Sequence, residues 1–512
     1  SPPSPHSPRL LPKTYCPLIA VKLDTLTSEA YKIIMAIKTP DWVKNAVFYQ
    51  IFPDRFAQGL QTRLPYTIPL EVWSDPPTLQ GYKGGNLWGV TEKLDYLQDL
   101  GVNAIYFTPI FQSASNHRYH THDYYQIDPI LGGNEAFVVL LEEAHRREIK
   151  VVLDGVFNHT GRGFFFFHDI LENGPNSPWV DWFKIEKWPV SAYNGDFPAN
   201  YVGWVGNRAL PEFNHENPQV REYIMKVAEY WLNLGIDGWR LDVPFEIEVP
   251  GFWEEFRDRV KAINPEAYIV GEVWRDSRQW LDGKQFDGVM NYLFTAPTIA
   301  FTAGDRVVME LVENQDYYPY PALDAPEYAR KIEELLKLYP WEIQLTQLNL
   351  LDSHDTARLL SIADGDRGTV ELATVLLMTF PGAPSIYYGD EVGLPGRQDP
   401  DSRRGFPFDK EWNLEVLEYH KKLIALRHEH PALRTGDYQV LGTQGHIYVF
   451  ARTLAEKVLI VAVNTGTEKN TITVETALKM QPHRILYGDA QVQWEQNQLT
   501  LSLLPRQSCI LG

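Results

Sequence analysis

Ile236-Asp237-Gly238-Trp239-Arg240-Leu241-Asp242-Val243 is a short apolar run interrupted by charges. In an extended chain successive side chains point to opposite faces, so Arg240 and Asp242 share one face while Trp239 and Leu241 share the other. The apolar pair suits packing against helices, which leaves Arg240 and Asp242 facing the inside of a sheet. Buried charges have to be paired, and a guanidinium beside a carboxylate keeps it ionised and fixed. The segment is therefore a strand whose carboxyl end carries chemistry.

Seven further short apolar runs share this character: Ala46 to Phe52, Ala104 to Pro109, Lys150 to Phe157, Tyr268 to Val273, Phe286 to Tyr292, Leu348 to Leu351 and Ser385 to Tyr388. Amphipathic stretches separate them. Val90, Leu94 and Leu97 recur at helical spacing before Gly101, as do Phe137, Leu140, Leu141 and Ala144. Asn217 and Pro218 form a cap-and-first-turn pair, followed by Val220, Tyr223, Ile224, Val227 and Trp231 on one face. Eight βα units predict an α/β fold, a (β/α)8 TIM barrel over residues 42–157 and 217–430, with function at the carboxyl ends of the strands. Residues 158–216 are too long for a loop and form a small inserted domain after the third strand. Short alternating segments over 431–512 predict a C-terminal antiparallel β-sandwich, and the proline-rich residues 1–41 form an N-terminal extension.

The chain has 512 residues and a formal net charge of −19, which opposes binding to nucleic acid and to anionic membrane surfaces. No apolar run reaches the roughly 20 residues of a membrane span. Cys16 and Cys509 stand near opposite ends, unlike a disulfide framework or a metal site, and no secretory signal pattern opens the chain, so a reducing, cytoplasmic setting is expected. Aromatic residues make up 13% of the chain. Their faces fill cores or stack on sugar rings, and the share in the inserted segment (Phe164 to Phe167, Trp179, Trp182, Tyr201 and Trp204) is assigned to sugar stacking.

Four strands end in polar clusters: Asp154 to His159, Gly238 to Asp242, Gly271 to Trp274, and Asp352 to Asp355. The chemistry that uses two opposed carboxyl groups is glycoside hydrolysis. Glu272 lies between the apolar run Tyr268-Ile269-Val270 and the pair Val273-Trp274, surroundings able to keep a carboxyl protonated for acid duty. Asp355 is a third carboxylate, able to hold sugar hydroxyls.

These ordered clusters resemble the α-amylase superfamily, glycoside hydrolase family thirteen, over roughly residues 42–512. The resemblance implies Asp242 as nucleophile, Glu272 as acid and base, and Asp355 as transition-state stabiliser. It implies that Arg240 orients the nucleophile, that His159 and His354 bind sugar hydroxyls, and that Tyr119, in Asn116-His117-Arg118-Tyr119, stacks on the sugar. Phe48 to Phe56, Leu210 to Asn214 and Gln285 to Tyr292 resemble the neopullulanase, cyclomaltodextrinase and maltogenic amylase group. Asp399 and Arg403 match its pair for the next sugar, and Glu246 matches it beyond the nucleophile. The group implies an α-glucan oligosaccharide as partner, cleavage of α-1,4 and α-1,6 links in maltooligosaccharides, cyclodextrins, pullulan or starch-type glucans, and transglycosylation.

Pro244 and Phe245 depart from the group's smaller or amide residues on the acceptor side. Phe56 to Leu60 lacks the carboxylates that hold calcium in many relatives, so no essential metal or other cofactor is expected. The group's usual N-terminal β-domain, which builds its dimer, has no counterpart in the short segment before the barrel, leaving the oligomeric state open. Three other functions are compatible with parts of the pattern. His117, His120 and His122 would serve a metal-dependent barrel hydrolase; the superfamily also contains transferases and isomerases acting on sucrose or trehalose; and the fold alone would suit a non-catalytic carbohydrate-binding scaffold.

Overall fold

The computed structural model describes residues 37–59, 68–313, 319, 321–408 and 412–512. Two units divide the chain, Ser1–Lys38 and Thr39–Gly512. The second holds everything that follows; the extension expected over 1–41 falls outside the described residues as far as residue 36.

Eight strands form a parallel sheet: β1 Phe48–Ile51, β2 Ala104–Phe107, β3 Lys150–Gly155, β4 Gly238–Leu241, β5 Tyr268–Gly271, β6 Gly288–Val289, β7 Leu348–Asn349 and β8 Ala383–Tyr387. They pair in the order β6-β5-β4-β3-β2-β1-β8-β7, and a parallel bridge from Met290 to Leu348 joins the first to the last, closing the barrel. Every expected strand is present; seven are shorter than their apolar runs, and the eighth, Ala383–Tyr387, starts two residues before the run expected at Ser385. A run marks burial, whereas a strand also needs a paired neighbour; the tilted rim of a barrel withdraws that neighbour early.

Phe48, Tyr106, Val152, Tyr268, Val270 and Leu348 fill the interior. Trp42, on the helix Asp41–Lys44, packs on Phe48 and Tyr268 with ring centroids 5.8 and 6.0 Å away, and so plugs the end opposite the strands' carboxyl ends. Gly238 is required by close approach: a Cβ there would meet the Tyr268 carbonyl oxygen at 2.3 Å.

Among the outer helices, Pro218–Leu234 begins as expected, with the Asn217 side chain accepting from the Gln219 amide. Val220, Ile224, Val227 and Trp231 are buried, but Tyr223 is only half-buried and leaves the expected face for an outer groove. The helix expected before Gly101 is split into Leu87–Glu92 and Leu94–Leu100, and Gly101 ends the second in the left-handed region at φ 96°.

Beyond the barrel, β9 Asp437–Gln444, β10 Ile447–Leu454, β11 Lys457–Asn464, β12 Asn470–Glu475, β13 Ile485–Gly488, β14 Gln491–Glu495, β15 Gln498–Leu503 and β16 Gln507–Leu511 form two antiparallel sheets. Their orders are β9-β10-β11-β16-β13 and β12-β15-β14, and Val449, Ile460, Ile472, Leu499 and Leu501 pack between them. Cys509 belongs to that core, and burial pushes its thiol up to about 12.

Two fully buried arginines tie this unit to the barrel. Arg427 donates to the carbonyls of Met378, Phe380 and Leu433, and Arg452 to those of Thr379, Leu433 and Gly436. Met378, Thr379 and Phe380 end the helix Arg367–Thr379, where unpaired carbonyls and the helix dipole both attract a cation. Truncation of Arg452 to alanine strands buried carbonyls at about 1–3 kcal/mol each. Arg452→Ala should therefore lower the thermal midpoint by several degrees in scanning calorimetry; an unchanged midpoint would show that this anchor contributes no stability.

Candidate active site

The mouth of the barrel opens into a cleft of about 710 Å³ lined by Tyr119, His159, Asp242, Glu272, Asp355, Asp399 and Arg403 among others. Beneath it lies Arg240, fully buried on β4. Register explains its company. Arg240 is the partner of Asp154 on β3 and of Val270 on β5, so Asp154, Asp242 and Glu272 arrive at similar heights. One nitrogen, Nη1, lies 2.9 Å from Asp154 Oδ2 and 3.0 Å from Asp242 Oδ1, and Nη2 lies 2.9 Å from Glu272 Oε2. A single guanidinium thus holds three carboxyl groups.

Asp242 carries a carboxyl pushed well above the usual range, by burial first and then by the charge of Glu272, against the pull of Arg240. Asp154 is raised to about 6, again by burial first. Carboxyl groups so close cannot all ionise together, and the cluster keeps a proton. Glu272 itself does not sit in the apolar pocket expected from its neighbours. Its carboxylate meets Arg240 Nη2, accepts from Trp274 Nε1 at 2.9 Å and accepts from the Val243 amide at 3.2 Å. The apolar residues before it lie behind, in the barrel core. Val243 adopts φ 35°, a strained conformation for a β-branched residue, immediately after Asp242.

Tyr119 donates its hydroxyl to Asp154 Oδ2 at 2.9 Å and meets His354 Nε2 at 2.6 Å; its ring lies parallel to that of His354, 8° apart in plane and 5.5 Å between centroids. The Gln50 amide donates to His354 Nδ1 at 2.7 Å, which places the ring proton on Nε2, 3.1 Å from Asp355 Oδ2. Burial first, then Arg403 and Arg240, push His354 far below the ordinary histidine range, so the ring is neutral. His159, lowered to about 3 chiefly by burial, is neutral as well and stands 4.0 Å from Asp242 Oδ2. Arg403 reaches Asp399 at 3.1 Å and Asp355 at 3.6 Å and donates from Nε to the His354 carbonyl.

Nine of the ten expected site residues therefore converge. Glu246 does not: it is exposed at the end of the short turn Pro244–Glu246, and Phe245 lines the cleft instead. Asp154 and Tyr106, given no role from the sequence, join them, and so does Trp204, one of the aromatic residues assigned to sugar stacking. Tyr106 donates to Asp154 at 3.1 Å, and Trp204 stacks on His159 at 5.3 Å. Asp154 stands in the first polar cluster, and its pairing opposite Arg240 was the available signal; Tyr106 had none within an all-apolar strand.

The metal-type triad does not assemble. The rings of His117 and His120 meet edge to face at 5.1 Å, and among the described residues no three His, Cys, Asp or Glu side chains converge as metal ligands. The aromatic segment divides: Phe164, Phe167, Trp182 and Tyr201 are buried and cannot stack on a ligand, whereas Trp204 faces the cleft.

The alpha amylase catalytic-domain profile matches residues 50–411, and the alpha-amylase C-terminal domain profile matches residues 436–511. The chain belongs to the α-amylase family. A crystal structure of the debranching enzyme from Nostoc punctiforme superposes with a TM-score of 0.88 at 70% identity, covering 93% of this chain and all of that one. Neopullulanase 2 of Thermoactinomyces vulgaris is 42% identical over 92% of this chain and 78% of its own length. A Bacillus cyclomaltodextrinase is 45% identical over 78% of this chain and 69% of its own. Within the α-amylase family this protein is a glycoside hydrolase of the neopullulanase and cyclomaltodextrinase kind.

Tyr119→Phe keeps the ring stacked on His354 while deleting the hydroxyl that Asp154 and His354 share. A buried acceptor left unmet costs about 1–3 kcal/mol, so kcat/KM on a maltooligosaccharide should fall by roughly 5- to 150-fold with the circular dichroism spectrum unchanged. An undiminished rate would detach this hydroxyl from the reaction.

Proposed function

We propose that the cleft hydrolyses α-1,4 and α-1,6 glucosidic bonds of maltooligosaccharides, cyclodextrins, pullulan or starch-type glucans with retention of configuration, and passes glycosyl groups to sugar acceptors as well as to water. Asp242 attacks the anomeric carbon while Glu272 protonates the departing oxygen. A covalent glycosyl-enzyme forms, and Glu272 then takes the proton from water or an acceptor hydroxyl. Asp355, His354 and His159 hold hydroxyls of the sugar being cleaved, Tyr119 stacks on it, and Arg403 with Asp399 holds the next sugar.

The observation that carries this reading is the bridging of Asp242 and Glu272 by one guanidinium, at 3.0 and 2.9 Å. Two carboxyl groups sharing one small cation are near neighbours, which favours the close arrangement of retaining enzymes, about 5–5.5 Å, over the wider one that leaves room for water. Neutral histidines and tyrosine hydroxyls around the charged centre suit a neutral polyol. A cytoplasmic setting is part of the proposal, supported by an intracellular maltogenic amylase of Bacillus subtilis, 38% identical over 84% of this chain and 70% of its own length. Among the described residues no helix is long and apolar enough to cross a membrane.

Time-resolved NMR of maltoheptaose cleavage should show the α-anomer first, and an initial β-anomer would refute Asp242 as nucleophile. The resting charge of the pair gives a second expectation. Removing the Glu272 charge stabilises the Asp242 anion and lowers its raised pKa, so in Glu272→Gln the acid limb of kcat/KM should move to lower pH. The measurement uses a maltosyl fluoride, whose leaving group needs no proton; an unmoved or upward-shifted limb contradicts the coupling.

The acceptor side is walled by Phe245, with the Arg275 guanidinium 4.7 Å from its ring centroid, and by Trp274, stacked on Tyr292 at 3.8 Å. Replacing the bulky ring in Phe245→Asn should change the ratio of α-1,6 to α-1,4 cleavage by about five-fold, since one aromatic contact is worth roughly 1 kcal/mol. Chromatography of products from pullulan, cyclodextrin and a branched oligosaccharide reads it; identical ratios would place bond choice elsewhere.

A further inference from the structure

On the outside of the barrel a stripe of rings runs across the helix Phe165–Asn173, the turn at Trp179, the helix Pro218–Leu234 and the strand Thr121–Ile127. Phe165 meets Phe166 at 6.0 Å, Phe166 stacks on Trp179 at 3.7 Å with planes 3° apart and meets Tyr223 at 5.9 Å, Tyr223 meets Tyr125 at 5.9 Å, and Tyr125 meets Tyr230 at 5.1 Å. The middle of the stripe lines an open groove of about 500 Å³ that shares no lining residue with the catalytic cleft. Both ends are bare: Phe165 is 65% exposed and Tyr230 is 39% exposed. The middle rings are half-buried and three of them, Phe166, Trp179 and Tyr223, pack on the buried Trp182, but neither that packing nor the reaction accounts for the two bare ends or for the open groove between them.

The charges beside the groove restrict what could cover it. Lys226 pairs with Glu229 at 2.7 Å, and Arg259 pairs with Glu222 at 2.6 Å and Glu229 at 3.2 Å, so the rim is locally neutralised. A second copy of this chain, at −19, brings a strongly repelling charge, and a polyanion does so still more. Tyrosine rings offer an apolar face with a polar edge, and Gln219 adds an amide. A neutral chain that alternates flat apolar faces with hydroxyls complements these features.

We propose that this stripe is a second carbohydrate-binding site, separate from the cleft, that holds a stretch of polymeric α-glucan while another stretch is cut. It rests on the α-glucan reading of the cleft. Stacking on one or two rings predicts a three- to ten-fold weakening when they are removed.

The test is native affinity electrophoresis of the full chain in gels containing amylopectin. The background is Glu272→Gln, so that the polymer survives, and saturating maltotriose occupies the cleft. Retardation should persist under maltotriose and fall about three- to ten-fold in Trp179→Ala. Because Trp179 also packs on Phe166, a second variant, Phe165→Ser with Tyr230→Ser, changes only the exposed ends and should fall likewise. Retardation equal to the parent's in both variants overturns the site. So does a concentration-dependent dimer, seen by analytical ultracentrifugation, that both variants abolish, since the face would then join two copies. Parallel assays with Glu272 intact separate the two readings: the surface variants should keep the parent's rate on maltoheptaose, whereas a parent inert toward maltoheptaose would sink the substrate reading itself.

Discussion

Burying the guanidinium of Arg240 at the centre of a barrel is tolerable only where carboxylates surround it. That demand organises the active site. In a parallel barrel adjacent strands bring their carboxyl ends to one rim, so partners can come from the two neighbouring strands without distorting either. β3 supplies Asp154 and β5 supplies Glu272 by way of its extension, while Asp242 follows on the same strand as Arg240. Charge then decides chemistry. Acids outnumber the cations within reach, so the cluster holds a proton, and a group that keeps a proton beside one that can lose it is what acid-assisted displacement requires.

Around this charged centre lies a neutral layer. His354 and His159 are kept uncharged by burial, and Tyr106 and Tyr119 present hydroxyls rather than charges. Each donor is fixed by another contact: Gln50 sets the His354 tautomer, and the carbonyl of His354 in turn holds Arg403. A side chain so constrained loses little freedom when a ligand arrives, which is how a cleft for a neutral, flexible polyol becomes selective without paired charges on the ligand.

Much of this is legible in the sequence. The alternation in Gly238 to Asp242 placed Arg240 and Asp242 on one face, and strand ends bearing His159, Glu272 and Asp355 marked the same rim. Other parts left no local trace. Glu246 matched a motif, yet the turn beginning at Pro244 directs Phe245 to the cleft and leaves the carboxylate exposed, near enough to Glu212 to add to the upward shift that burial gives that carboxyl. Tyr106 is silent because an aromatic residue in a buried strand looks like core until its hydroxyl is traced to Asp154. Arg427 and Arg452 are silent for a different reason: their partners are backbone carbonyls, and no side-chain pattern records those.

The inserted segment shows why so many aromatic residues are needed, and why most do not touch a ligand. Beyond the helix Phe165–Asn173, residues 158–216 contain little regular structure, only three-residue helical turns and isolated bridges such as Phe183 to Phe213 and Gly203 to Pro211. With few ladders to hold it, the segment depends on side-chain packing for a defined shape. Phe164, Phe183 and Phe213 interlock, with Phe183 and Phe213 stacked at 5.6 Å, and Phe167 packs on Tyr201 at 5.0 Å. That buried cluster steadies the backbone on both sides of the bridge from His159 to Glu212, and with it the stack of Trp204 on His159 above Asp242. The rings buried away from the cleft are therefore part of what fixes the groups that line it.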